Sequence, residues 1–431
     1  MTRRLTDLGI KVQIGHAAEH VHGCDVVVIS SAVQETNSEV QAARARRIPV
    51  VPRAEMLGEL MRFRQGIAIA GTHGKTTTTS LITTLLAEGG FEPTFVIGGL
   101  LNSVGSHASL GLGEYLVAEA DESDASFLYL KPVMAVVTNI DADHMETYNH
   151  DFLQLRQTFI EFLQQLPFYG LAVLCIDDPV IESILPELTK PMITYGLSPQ
   201  ADLRAIDIRQ IQGQTQFTVL RDNSHWLDIK LNLPGKHNVR NALAAMAIAH
   251  EVGVTEKAIV KTLQTFSGIG RRFQMQEVTI PTGKILFIDD YGHHPQEMAA
   301  VFQAIREGWP NRRLVVAFQP HRYTRTRDLF NDFVQVLMKV DVLILLDIYS
   351  AGELVIEGAT GQNLYQAMEN KGKIISHFLA KPEQLTTLLP SLVMDQDIVL
   401  TLGAGNIGMI ATTLPKILSR QKNYETASIR A

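Results

Sequence analysis

Along the chain, short runs of β-branched and other apolar residues alternate with stretches whose apolar positions recur every three or four residues. This is the pattern of parallel strands covered by helices. It predicts three regions. The first carries a strand over 25–30, a helix over 37–47, a short strand over 49–51 and a helix over 54–62, too few elements for a complete doubly wound sheet. The second has strands over 66–70, 115–118, 133–138 and 171–176, with helices over 76–88 and 152–166. Its later part, 201–231, alternates strictly and reads as antiparallel strands attached to the parallel sheet. The third opens after Ser267-Gly268-Ile269-Gly270, with strands over 285–288, 314–318, 342–346 and 398–402. The expectation is an α/β protein divided at 1–55, 56–270 and 271–431.

Composition narrows the class. The 431 residues are 46% apolar and 19% charged, values of a globular protein with several cores. The net charge of −7 disfavours nucleic acid or an anionic membrane as partner, so any bound phosphate needs a local site. The longest purely apolar run, 242–249, is far short of the ~20 residues of a membrane span, and Met1-Thr2-Arg3-Arg4 leads into no apolar signal core. A cytoplasmic protein is expected. Its two cysteines, Cys24 and Cys175, lie in separate apolar stretches and are expected to be buried free thiols.

The strongest local signal is Ile67-Ala68-Ile69-Ala70-Gly71-Thr72-His73-Gly74-Lys75-Thr76-Thr77, an apolar strand turning through glycines into a helix that opens with Lys and Thr. Such a helix start is an anion site. Gly71 and Gly74 admit phosphate close to the backbone, Lys75 supplies charge and the Thr76 hydroxyl suits Mg²⁺. The strict phosphate-loop pattern is not met, because Ile69 stands where its first glycine belongs. Two acidic segments follow apolar strands: Glu119-Ala120-Asp121-Glu122-Ser123-Asp124 and Thr138-Asn139-Ile140-Asp141-Ala142-Asp143-His144. Glu119 there suits a hard cation, and His144 is either a metal ligand, a phosphate donor or a structural hydrogen-bonding group. The segment Pro320-His321-Arg322-Tyr323-Thr324-Arg325-Thr326 lies just beyond an apolar strand, where α/β proteins bind ligands.

These blocks, with His237-Asn238-Val239-Arg240-Asn241, Gly270-Arg271-Arg272-Phe273 and Asp289-Asp290-Tyr291-Gly292-His293-His294-Pro295, together resemble the peptidoglycan Mur ligases, and among them the alanine-adding branch. The resemblance spans essentially the whole chain. It implies a partial N-terminal Rossmann-like domain, a central ATPase with a small antiparallel sheet and a C-terminal Rossmann-like domain. It further implies an ATP- and Mg²⁺-dependent ligase joining L-alanine to the lactoyl carboxylate of UDP-N-acetylmuramate. By motif match, Gly71 through Thr77 would hold phosphate, and Thr76, Glu119 and His144 the metal. His237, Asn238 and Asn241 would surround adenine, Asp290 would bind ribose, and Arg271 or Arg272 would reach the phosphates. Tyr291, His293, His321, Arg322 and Arg325 would form the alanine end, the paired arginines suiting a carboxylate. Ser30, Ser31 and Asn139 would face the UDP-linked substrate.

The family's opening strand and Gly-rich loop for the UDP pyrophosphate have no counterpart before Met1, which leaves substrate affinity open. No Lys lies between Lys131 and Lys190, where sister ligases carry a carbamylated one; its absence fits the alanine-adding branch. Two other readings remain: a recycling ligase that attaches a tripeptide to the same sugar, and a non-catalytic ATP-binding protein. Replacing Lys75 with Ala is expected to remove turnover and leave the fold intact.

Overall fold

The computed structural model describes residues 2–30, 32–372 and 374–420. Three sheets organise them. Near the N-terminus, Val27–Ile29 pairs in parallel with Val50–Pro52, and between them Asn37 caps the helix Ser38–Ala45 by accepting the Glu39 N–H. The helix Arg53–Met61 then runs directly towards the central sheet, where Met61 joins the central core.

The central sheet has ten strands. The strand Gln65–Ala70 lies between Met134–Val137 and Tyr115–Glu119, all parallel and almost wholly buried. That placement decides the site, because the loops leaving the two neighbours, 120–124 and 138–144, must flank the loop leaving Gln65–Ala70. The antiparallel strands Leu203–Ile211, Gln214–Arg221 and Ser224–Leu231 extend the same sheet through Met192–Gly196. The helix Lys75–Glu88 packs against Lys236–Val252, in which every residue from 242 to 249 is buried.

The C-terminal sheet runs Gln274–Ile280, Gly283–Asp290, Ile398–Leu402, Leu314–Phe318, Val342–Leu346, Ile375–Leu379, with the first pair antiparallel and the rest parallel. Separate apolar clusters cover its two faces. The strands Gly283–Asp290, Leu314–Phe318 and Val342–Leu346 send their following loops, with Tyr291, His293, His321 and Tyr349, to one edge. Among the described residues no helix is long and apolar enough to cross a membrane.

One expectation fails here. Cys175 is buried on its strand, but Cys24 is exposed. Its apolar neighbours belong to a two-stranded sheet with no fully buried position, and Val28 in it is itself exposed.

Candidate active site

The phosphate loop is held from three sides. Gly71 and Gly74 have φ of 123° and 85°, a region that suits glycine. A Cβ at Gly71 would fall 2.2 Å from Thr138 Oγ1, and one at Gly74 2.7 Å from Asn241 Oδ1. The His73 peptide is clamped: its N–H donates to Asn139 Oδ1 at 2.8 Å, while Asn139 Nδ2 and Thr138 Oγ1 donate to its carbonyl at 2.9 and 2.6 Å. Thr72 Oγ1 accepts the Asp141 N–H at 2.9 Å. Asn139, expected at the substrate, thus commits its amide to the loop.

Lys75 folds back over this loop. Its ammonium donates to the carbonyls of Gly71 and Thr72 and to both Glu122 oxygens, at 2.9 and 2.8 Å. Burial opposes the charge, but Glu122, Asp121 and Glu119 together hold the Lys75 pKa above its ordinary value. Glu122 carries no local sequence signal beyond its acidic block; only the strand order brings it to Lys75.

Thr76 and Glu119 lie on either side of Gly98-Gly99. Glu119 Oε1 accepts the Gly98 N–H at 2.7 Å, and a Cβ on Gly99 would meet the Thr76 methyl. A hydroxyl and a carboxylate are hard oxygen donors of the kind Mg²⁺ takes beside phosphates and water, so each group by itself suits that ion. His144 stands elsewhere, 3.6 Å from Asp143, lining a cavity of about 60 Å³ with Arg322 and Arg325. Burial, then Arg325 and Arg322, lower its pKa against the pull of Asp143. Among the described residues, the His and carboxylate side chains close enough to share an ion are instead His73, Asp141 and His294.

A cavity of about 410 Å³ opens between the central and C-terminal units, a size that accommodates a nucleotide. Its walls include Gly74, Thr77, His237, Asn238, Asn241, Arg272 and Asp290, all expected at the nucleotide, together with His73 and Asn139. Burial, then Arg240, push the His237 pKa down to about 4. Asn241 accepts from Thr78 and donates to Asn238, fastening this helix start to the phosphate-loop helix. Asp290 accepts the N–H groups of Phe273 and Gly292, both at 2.7 Å, which pins the segment entering the C-terminal unit. Each oxygen retains a further lone pair. Asp177, joined to Arg240 at 2.6 Å, closes the far wall; no local pattern marks that pair.

The structure separates the two arginines that the sequence left equivalent. Arg272 reaches across to Thr76 Oγ1 at 3.4 Å. Arg271 turns into the C-terminal unit, where it pairs with Asp289 at 3.4 Å and bonds the Gly403 carbonyl. Both guanidinium groups lie 5.1 Å from the Tyr291 ring centroid.

At the expected alanine end, Tyr291, His293, His321 and Tyr349 form a chain of ring contacts. Burial and the cations around them, Arg325 foremost, lower the His293 pKa to about 3 and the His321 pKa to about 4, so both rings stay neutral. Arg325 is 4% exposed and grips Asp143 of the central unit, whereas Arg322 is 44% exposed and lies 3.7 Å from Glu353. His144, Arg271 and Arg322 all adopt positive φ, of 54°, 60° and 71°. Ser30 is exposed at the end of its short strand and lines none of these cavities; Ser31 lies outside the described residues.

One residue of this site was missed although a signal existed. Glu297 is the third residue of a helix opened by Pro295, and its carboxylate returns to the His293 and His294 N–H groups in a capping box. Its other oxygen accepts from His73 Nδ1 at 3.2 Å.

The comparisons with known proteins identify the family. Residues 1–65 match the model described as Mur ligase family, catalytic domain; 69–249 match the Mur ligase middle domain, and 271–405 the Mur ligase, glutamate ligase domain. The chain is 58% identical to the UDP-N-acetylmuramate–L-alanine ligase of Methylococcus capsulatus over 421 residues, 97% of this chain and 89% of that protein. The structure resembles UDP-N-acetylmuramate-alanine ligase from Thermotoga maritima, with a TM-score of 0.81, 26% identity and coverage of 96% of this chain and 90% of that one. A murein peptide ligase from Psychrobacter arcticus shares the fold at a TM-score of 0.67 and 22% identity, covering 98% and 92% of the two chains. With sequence likeness of this depth running through all three units, the chain belongs to the Mur ligase family.

Proposed function

We propose that the chain joins L-alanine to the lactoyl carboxylate of UDP-N-acetylmuramate with consumption of ATP, a step of peptidoglycan precursor synthesis placed in the cytoplasm. The observation that carries this reading is the 58% identity to an L-alanine ligase, sustained over 97% of the chain. A division into substrate, ATP and amino-acid units is part of this reading, and the presence of three separate sheets supports it.

A carboxylate has no adequate leaving group. One of its oxygens therefore attacks the γ-phosphorus, the bond to ADP breaks, and an acyl phosphate forms. The alanine amine then adds to the acyl carbon, phosphate departs with the C–O bond electrons, and the amine loses a proton. Lys75 supplies a fixed positive charge at the loop, and Arg272 supplies a second from the other side of the cavity. His237, Asn238 and Asn241 surround the base and Asp290 takes the ribose. Thr76 and Glu119 would hold Mg²⁺, which neutralises phosphate charge when bound. Arg322, Arg325 and His321 receive the alanine carboxylate, with His293, Tyr291 and the neutral His144 beside it. Closure of the two units excludes water, which would hydrolyse the acyl phosphate.

The test is phosphate release with ATP, Mg²⁺ and UDP-N-acetylmuramate, comparing no amino acid, L-alanine, glycine, L-serine and the recycling tripeptide. Release stimulated by L-alanine above the other additions is expected. Stimulation by the tripeptide alone, or ATP binding with no acceptor-dependent release, would overturn the assignment.

A further inference from the structure

Among the charged groups at the boundary between the central and C-terminal units, Glu297 has an arrangement that the reaction scheme above does not use. It lines the nucleotide cavity from the start of the helix Pro295–Gly308. One carboxylate oxygen accepts from the His73 side chain, in the middle of the phosphate loop, at 3.2 Å. The other accepts the backbone N–H of His293 at 2.9 Å and of His294 at 3.2 Å. A single rigid group thus touches the loop expected to hold ATP and the segment expected to hold alanine.

His73 is suited to transmit that contact. Its peptide is fixed by Asn139 and Thr138, and its second ring nitrogen lies 3.4 Å from Asp141. Burial disfavours charge on His73, but the Asp141 and Glu297 carboxylates outweigh it and push the pKa up to about 9. Both ring nitrogens then donate, one to each unit. Against its burial, Glu297 is held well below the usual carboxylate range by the charged His73 and by Arg272. The His294 ring packs 4.8 Å from the His73 ring, and His237 and Asp290 also feel the Glu297 charge.

We infer that Glu297 is a positioning residue that registers the amino-acid segment on the phosphate loop through His73, so that the alanine amine meets the acyl phosphate only when the two units are closed on each other. The inference rests on the ligase reading. A helix cap alone would need the bonds to His293 and His294; it would not need the one to His73, and this difference is what an experiment can read.

Steady-state kinetics of the full chain, with Glu297→Gln, His73→Gln and the double variant, test it. Glutamine keeps the shape and an acceptor oxygen for the 293–294 segment, but it removes the charge and turns an NH2 donor towards His73 Nδ1, which itself donates there. Each single variant is expected to lower kcat by about tenfold or more, the order that misplacement of a reactant produces, while KM for ATP changes by less than about threefold. Because both act through one contact, the double variant should be no slower than the worse single variant. Effects that multiply, or a Glu297→Gln enzyme with wild-type kcat, overturn the inference and leave the ligase reading standing. A wild-type chain without alanine-dependent release overturns both. Should Glu297→Gln fail to fold, His73→Gln approaches the contact from the loop with the helix cap intact, and wild-type kcat in that variant overturns the inference equally.

Discussion

Arg325 and Asp143 meet across the boundary of the central and C-terminal units, one guanidinium nitrogen lying 3.1 and 3.2 Å from the two carboxylate oxygens. Burial opposes the charge on Asp143, yet Arg325 holds its carboxyl well below the usual range. The guanidinium assigned to the alanine carboxylate is therefore shaped for a carboxylate and already holds one. Arg325→Lys keeps the charge but loses the planar fork. KM for L-alanine should rise about tenfold, with KM for ATP unchanged. An unaltered alanine KM in steady-state assays would remove Arg325 from the amino-acid site.

Lys75→Ala should slow turnover about a hundredfold or more through loss of the loop's cation. The variant should still fold, as the sequence suggests, but with a lower melting temperature. Glu122 is only 5% exposed and would lose its ionic partner, a change that costs about 3–5 kcal/mol in buried pairs. Adding Glu122→Gln should restore the melting temperature without restoring phosphate release. A Lys75→Ala protein that melts like wild type would contradict the pairing.

The two adjacent arginines should separate by assay. Arg272→Ala is expected to raise KM for ATP and slow phosphate release with little change in melting temperature. Arg271→Ala should instead lower the melting temperature, because Asp289 and the Gly403 carbonyl lose their partner. Equal effects of both on either measurement would dissolve the distinction.

Magnesium dependence should report Glu119. Glu119→Gln keeps an acceptor for the Gly98 N–H and loses the charge. The Mg²⁺ concentration for half-maximal phosphate release should rise about tenfold. A titration that coincides with wild type would exclude Glu119 as a ligand.

Stability should be greatest near pH 6.5, falling on the acid side through one set of histidines and on the alkaline side, towards pH 9, through another. His237, His293 and His321 stay neutral when folded, with pKa values near 4, 3 and 4, while their unfolded counterparts take up protons near 6.5. Their stabilisation is present above 6.5 and is lost as pH falls, each extra proton on the unfolded chain costing about 1.4 kcal/mol per pH unit. His73 has the opposite sign: its contribution is full below 6.5 and disappears as pH rises through about 9. Thermal melts of the ligand-free chain across this range check both limbs. His73→Gln should flatten the alkaline limb alone.

The legible parts of the fold were its buried parallel strands. Leu314–Phe318, Val342–Leu346 and Ile398–Leu402 are buried at every position, so the apolar run and the strand coincide. Strands without such a run stayed hidden. Thr94–Leu101 contains Gly98-Gly99, and Gln274–Ile280 buries two positions of seven. Motif residues could be read because their chemistry is local to a strand end or helix start. Partnerships could not: Glu122 with Lys75, Asp143 with Arg325, and Arg271 with Asp289 each depend on strand order or on the approach of two units.

The clamp on the His73 peptide bears on the thermodynamics of nucleotide uptake. With Thr138, Asn139 and Asn241 already fixing the loop in this structure, an arriving triphosphate immobilises little backbone there. The entropic cost of binding falls instead on the mutual approach of the two units, so apparent nucleotide affinity becomes a measure of how often they are together rather than of how well the loop is formed.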